Sequence, residues 1–180
     1  MAGPPVSLAI RPATTDDAPA IAAIYAHYVE HGVATFEEVA PDAAEMAARI
    51  AAVVPAYPWL VAERHGRIVG YAYGRPYHPR AAYRWTVETA IYLATDARRT
   101  GAGRPLYEAL LDDLADRGFV SAIAVITVPN PESTRFHEKQ DFTQVGVMEG
   151  IGFKHGAWRN VGYFQLALGP RSVPPPKLAV

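Results

Sequence analysis

The chain has 180 residues, half of them hydrophobic and 19% charged, with 17 Lys and Arg against 18 Asp and Glu for a net charge of -1. That length suits one domain with a sizeable core, and the charge balance argues against a general nucleic-acid binder, which needs a clustered basic excess to displace counterions. The absence of cysteine excludes disulfides, thiol nucleophiles, zinc ribbons and iron–sulfur clusters, and the strongest apolar run, Ala122 to Val128, is far short of the roughly 20 residues that cross a bilayer.

The opening Met-Ala-Gly-Pro-Pro lacks the basic start and apolar stretch of a secretory leader, so a soluble cytoplasmic domain is expected. Residues 1–5 read as a frayed end and Val6 to Arg11 as a strand. Thr14-Thr15-Asp16-Asp17 offers N-caps for a helix whose apolar face is Ile21, Ile24, Tyr25, Tyr28 and Val29, with Gly32 as its stop. Pro41-Asp42 opens a second, Ala-rich helix to about Val54. Its thin apolar face of Met46, Ile50 and Val53 predicts a surface position.

Trp59 to Arg64 and Ile68 to Tyr73 are two short strands, with His65-Gly66-Arg67 as a tight hairpin between them. Tyr77 to Arg84 is a loop rich in aromatic and basic residues. Thr86 to Ala94 is a strand, apolar apart from Glu88 and two threonines. Leu106, Leu110, Leu111 and Leu114 form the core face of a strong helix that Gly118 stops. Ser121 to Val128 is a buried strand broken by Pro129-Asn130-Pro131, and Ser133 to Gln140 is helical. Val145 to Phe153 and Ala157 to Leu168 close the domain as a strand pair, with a turn at His155-Gly156. Pro174-Pro175-Pro176 marks residues 169–180 as a flexible Pro-rich tail after one domain over 1–168. The order predicts a mixed sheet with helices on both faces.

Arg98-Arg99-Thr100-Gly101-Ala102-Gly103-Arg104 follows a buried strand directly and opens the Leu106 helix. Glycines that let the backbone turn tightly, with N–H groups gathered at a helix N-terminus and arginines beside them, make an anion cradle for a phosphate or pyrophosphate. The plainer reading is a glycine turn with solvated arginines. Leu106 stands where the dinucleotide fingerprint needs its third glycine, and no Gly-Lys-Ser/Thr is present, so the cradle matches neither common nucleotide motif.

Glu88 is a carboxylate in an otherwise apolar strand, which costs several kcal/mol unless it is paired or solvated by a cleft. It reads either as a general base in a site or as a partner of Arg75, Arg80 or Arg84. Asn130, at the C-terminal end of a strand where α/β ligands gather, shares a helix face with His137, a possible site residue or a satisfied structural histidine. Neither His27, His31 nor Glu30 has metal-ligand spacing, and no metal is expected. Tyr71, Tyr73, Tyr77, Tyr83 and Trp85 around Arg75, Arg80 and Arg84 form either a tyrosine-rich sheet face or an aromatic pocket with a guanidinium for a carboxylate.

Arg98-x-x-Gly101-x-Gly103 after a strand carrying Glu88 resembles the acetyl-CoA signature of the GNAT N-acetyltransferases. Within them the chain looks like the phosphinothricin and methionine sulfoximine acetyltransferases. The segments that carry this likeness include Ile10-Arg-Pro-Ala-Thr, Tyr57-Pro-Trp-Leu-Val-Ala-Glu, Tyr83-Arg-Trp-Thr-Val-Glu88, Pro129-Asn130, His137-Glu138 and Gly152-Phe-Lys-His-Gly-x-Trp158. It departs from the pattern at Tyr77-His78 and at Lys139-Gln-Asp141-Phe142, where a Leu-Gly-Phe/Tyr ending is usual.

The resemblance implies an α/β (α+β) fold with a mixed, mostly antiparallel sheet of about six to seven strands, helices on both faces and splayed central strands. It implies acetyl-CoA as acetyl donor, no metal, a small amino-acid-like acceptor, and a homodimer without nucleic-acid or membrane partners. Ile91, Tyr92 and Leu93 would present strand backbone to the pantetheine arm, and Arg98, Arg99, Thr100, Gly101, Ala102, Gly103 and Arg104 would hold the pyrophosphate. Asn130 and Ser133 would contact the cofactor, with His137 near the reacting centre and Glu88 as base. Phe36, Arg80 and Tyr83 would hold the acceptor. The expected reaction is acetylation of the α-amino group of a phosphinothricin or methionine sulfoximine-like compound. Acetylation of another small amine or amino acid, or a non-catalytic acetyl-CoA-binding domain, are the alternatives.

Overall fold

The structure is a computed structural model and describes residues 8–180. The expected frayed end at 1–5, and Val6 and Ser7 of the first strand, lie outside the described residues. Eleven principal elements follow in the expected order: β1 (Ala9–Pro12), α1 (Ala18–His31), α2 (Ala43–Val53), β2 (Trp59–Arg64), β3 (Arg67–Pro76), β4 (Thr86–Leu93), α3 (Gly103–Asp116), β5 (Ser121–Val128), α4 (Pro131–Glu138), β6 (Thr143–Lys154) and β7 (Ala157–Ala167). No described helix is long and apolar enough to cross a membrane.

The strands form one sheet in the order β1-β2-β3-β4-β5-β7-β6. Every neighbouring pair is antiparallel except β4 and β5. The hairpin between β2 and β3 turns on His65 and Gly66, both with positive φ, as its two-residue length demands. His155 and Gly156 repeat that geometry between β6 and β7.

Side chains alternate across a strand, so the sheet has two faces and two cores. Leu106, Leu110 and Leu114 of α3 pack on one face with Phe119 and Phe164. On the other, Ile21 and Val29 of α1 join Met46 and Ile50 of α2 over Tyr71. As expected, α2 lies at the surface on a thin apolar face: only Met46 and Ile50 are buried, and they anchor the helix to the sheet. Asp42 caps it by accepting from the Glu45 N–H at 2.8 Å. α4 starts two residues before the expected Ser133 because the Asn130 side chain caps it, accepting from the Ser133 N–H at 3.1 Å.

The β4–β5 ladder pairs Thr86 with Ser121 through Thr89 with Ala124 and then stops, although both strands run on for four more residues. This splay opens a gap in the middle of the sheet. After β7 the Pro-rich stretch hydrogen-bonds back to the domain: the Trp85 indole donates to the Pro176 carbonyl at 2.8 Å, and the Ala179 N–H donates to Arg117 at 2.9 Å.

Candidate active site

Two chambers meet at the splay. One, of about 780 Å³, lies on the α1–α2 face; the other, of about 710 Å³, lies on the face of α3 and α4. Ile91, Asn130, Ser133 and His137 line both, so the two chambers adjoin at the gap.

Glu88 lines the first chamber. It stands opposite Arg75 on β3, whose Nε donates to Glu88 Oε1 at 3.1 Å with Nη2 bound to the same oxygen. The Glu88 side chain is 19% exposed and that of Arg75 52%, so the pair sits at the chamber wall in contact with water. Of the three arginines weighed from the sequence, Arg75 is the partner, and pairing and cleft placement hold together.

A second pair faces it. Arg49 of α2 grips Glu37 through two bonds of 2.8 and 3.0 Å, and the Tyr25 hydroxyl donates to the same carboxylate at 2.9 Å. Burial works against that charge, but Arg49 and Tyr25 outweigh it and hold the Glu37 carboxyl below its ordinary range. Sequence reasoning missed Glu37 and Arg49. They lie 12 residues apart on a loop and a helix, and no local pattern joins them.

Backbone direction along β4 decides what the gap offers. The Ala94 N–H bonds to Val69 on the β3 side, so Tyr92, two residues back, also turns its amide to β3. Ile91 and Leu93 are out of phase and turn theirs to the gap. Both groups of Leu93 are taken by Tyr28, whose hydroxyl donates to the carbonyl at 2.7 Å and accepts from the N–H at 3.3 Å. Ile91 lies beyond the last β4–β5 pair, so its N–H faces the gap without a partner on β5. The Tyr92 ring instead packs under α1 against Tyr25 and Tyr28.

At the second chamber the chain between β4 and α3 turns through positive φ at Arg99 (61°) and Gly101 (85°), and the N-terminus of α3 follows directly. Its first-turn N–H groups lack intrahelical partners and, with Arg98, Arg99 and Arg104 around them, suit an anion. Glu132 of α4 bridges Arg98 and Arg99 across the chamber mouth, a contact the sequence did not suggest.

Residues 10–160 match the acetyltransferase (GNAT) domain. The chain belongs to the GNAT acetyltransferase family. It is 46% identical over 151 residues to phosphinothricin N-acetyltransferase of Alcaligenes faecalis, covering 83% of this chain and 77% of that one. It is 34% identical over 172 residues to the L-methionine sulfoximine/L-methionine sulfone acetyltransferase of Pseudomonas paraeruginosa, covering 94% and 100%. Among solved structures, a GNAT superfamily phosphinothricin acetyltransferase from Sinorhizobium meliloti, in complex with acetyl-CoA, superposes with a TM-score of 0.90 at 38% identity over 96% of this chain and 95% of that one.

In this GNAT chain the splay gathers most of the residues singled out from the sequence. Phe36, Glu88, Ile91, Tyr92, Asn130, Ser133 and His137 line the first chamber. Leu93, Arg98, Arg99, Gly101, Gly103 and Arg104 line the second. Two cradle residues line neither. Ala102 is wholly buried in the core, and the Thr100 hydroxyl donates to the Ala97 carbonyl at 2.7 Å. Arg80 and Tyr83 also lie outside both chambers. Arg80 flanks and Tyr83 ends an exposed 3-10 turn, where the Tyr83 ring packs on His78 with centroids 4.8 Å apart. Closeness to Glu88 in sequence did not carry them to its side in space.

His137 is 5% exposed, with its Nδ1 2.9 Å from the Ser133 carbonyl and its ring edge-on to Tyr107 and Phe142. Burial pushes its pKa below 6.5 and outweighs the opposing Ser133 bond, so the ring is neutral at physiological pH.

Proposed function

We propose that this GNAT acetyltransferase moves the acetyl group of acetyl-CoA to the α-amino group of a phosphinothricin or methionine sulfoximine-like amino acid. The attack is direct, and Glu88 is the general base. The observation that carries this reading is that Glu88 and the gap-facing N–H of Ile91 stand on one strand where the chambers join. They are three residues and about 10 Å apart, a span that the acceptor's amino group and one water fill.

Acetyl-CoA supplies an activated thioester. The α3–α4 face fits its pyrophosphate at Arg99 to Arg104 and its extended arm along Ile91 to Leu93 and Asn130. An ammonium has no lone pair, so Glu88 first takes its proton. The amine then forms the C–N bond as the C–S bond breaks; the nitrogen gives up its second proton, the leaving thiolate takes one up to become the thiol, and Glu88 passes the proton it holds to water. Ile91 N–H donates to the carbonyl oxygen as charge develops there, which a fixed backbone dipole does without reorganising. On the wall of the first chamber, beside Glu88, Arg75 supplies positive charge for the acceptor's carboxylate and Phe36 its apolar wall. His137, buried where the chambers join, shapes the junction beside the reacting centre.

The same reading extends to a homodimer, supported by the apolar strip of Val145, Val147, Met148, Ile151 and Trp158 exposed on β6 and β7. A molar mass near that of one chain in light scattering would contradict it.

A thiol-release assay with acetyl-CoA tests the substrate assignment against phosphinothricin, methionine sulfoximine, methionine sulfone and plain amino acids. Saturation by the first two is expected, with poor rates for plain amino acids. Saturation by methionine or histidine alone would overturn the acceptor, and release with none of them would overturn the reading of the first chamber.

A further inference from the structure

The segment Gly152-Phe153-Lys154-His155 stands apart in the sequence, and neither chamber uses it. Its inward residues touch the loop that walls the first chamber. That loop leaves α1 at Gly32 and contributes Ala34, Thr35, Phe36 and Glu37 to the wall. It starts on helices packed over β1 to β4 and is fastened to the other half of the sheet. The Thr127 hydroxyl of β5 donates to the Val33 carbonyl at 2.6 Å, Lys154 Nζ of β6 donates to the Thr35 carbonyl at 2.8 Å, and His155 Nε2 lies 3.1 Å from the Gly32 carbonyl.

Along the end of β6, Gly152 and Lys154 are buried while Phe153 is exposed, the period of two that puts 152 and 154 on one face. Lys154 is 4% exposed, a costly place for an ammonium without a partner, and burial pushes its amine below the ordinary range. Glu37 and Glu38 are the carboxylates whose charges oppose that shift. At Gly152 the requirement is space, because its φ is not positive. A Cβ there would stand 2.0 Å from Phe36 Cε2 and 2.4 Å from Cζ, so the phenyl ring occupies the space a side chain would need.

We propose that Gly152 and Lys154 are positioning residues for the acceptor. They clamp the Gly32–Glu37 loop across the splay, Lys154 by fixing the Thr35 carbonyl and Gly152 by seating the Phe36 ring, and so set the wall against which the acceptor side chain packs. The inference rests on the reading of the first chamber as the acceptor site. It assigns specificity to a strand end that need not touch the acceptor.

Lys154→Met keeps the bulk and removes the donor; Gly152→Ala keeps the donor and unseats Phe36. With phosphinothricin as acceptor, each variant is expected to raise the acceptor KM about tenfold, the equivalent of one charge-assisted hydrogen bond, while the acetyl-CoA KM moves less than about twofold. Amide exchange over residues 33–37 of the Lys154→Met protein should quicken, with β4 unchanged. Gly152→Ala should lower Tm in the native background and add little in Phe36→Ala, because the clash it makes is then gone. Unchanged acceptor KM and unchanged loop exchange in folded Lys154→Met would overturn the clamp. So would a Gly152→Ala penalty of equal size in both backgrounds. The exchange and melting arms need no turnover. They decide the clamp even if the native protein acetylates nothing in the panel, which would count against the acceptor reading alone. If Lys154→Met does not fold, the Gly152 and Phe36 pair of variants decides it.

Discussion

Replacing Glu88 by Gln keeps the side chain's size and one acceptor oxygen for Arg75 but removes its ability to take a proton. General-base catalysis contributes roughly 10²- to 10⁴-fold, which at 1.36 kcal/mol per decade is about 2.7 to 5.4 kcal/mol of barrier. The structural cost is small by comparison. Arg75 is 52% exposed and keeps access to water, so losing its partner costs no more than about 1 kcal/mol of stability. Initial rates of thiol release should therefore fall by two to four decades in a protein that melts within a few degrees of the native one. Acetyl-CoA binding should be unchanged, because no cradle residue touches Glu88. The residual rate should climb with pH as the free amine forms in solution. An equal loss of acetyl-CoA affinity, or a residual rate flat with pH, would refute the role assigned to Glu88.

Asp141 sits at φ 63°, in a left-handed turn after α4 where Asp141 N–H bonds to Glu138 and Phe142 N–H to His137. Asp141→Gly should relieve about 0.5 to 1 kcal/mol and raise Tm by about 1 to 4 °C, with no change in rate. A fall in Tm would contradict that account. Because folded His137 resists a proton that the unfolded chain accepts near pH 6.5, its contribution to stability is full above that pH and is lost as pH falls through the lower folded value. Urea unfolding between pH 8 and 5 should show that loss, and His137→Gln should reduce the slope; an identical slope would exclude His137 as its source. Tyr28→Phe strands both Leu93 backbone groups and should cost about 1 kcal/mol in urea unfolding at unchanged m value. No loss would mean that water replaces the hydroxyl.

Local chemistry in the chain specified the elements well. Apolar periodicity marks α1 and α3, Gly32 and Gly118 mark their stops, and His65-Gly66 marks the turn between β2 and β3. Glu88 stood out because a charge inside an apolar strand needs a reason, and Gly101-x-Gly103 because a helix follows it. What stayed hidden depends on contacts between distant segments. Tyr28 and Leu93 are 65 residues apart, and Lys154 and Thr35 are 119 apart; neither end of either pair shows a partner in its own neighbourhood. Arg80 and Tyr83 lie on a short exposed turn before β4, outside both chambers, a position that nearness to Glu88 in sequence did not reveal. The surface position of α2 was legible from its thin apolar face, and two buried side chains, Met46 and Ile50, suffice to seat it on the sheet.

The proposed reaction is a single direct transfer between two molecules held together at the splay, with no acetyl group resting on the protein. Initial rates measured while acetyl-CoA and phosphinothricin are both varied test it most directly. Double-reciprocal lines should intersect, as a ternary complex requires. Parallel lines, with an acetylated chain trapped and weighed by intact mass, would show a covalent relay and contradict it.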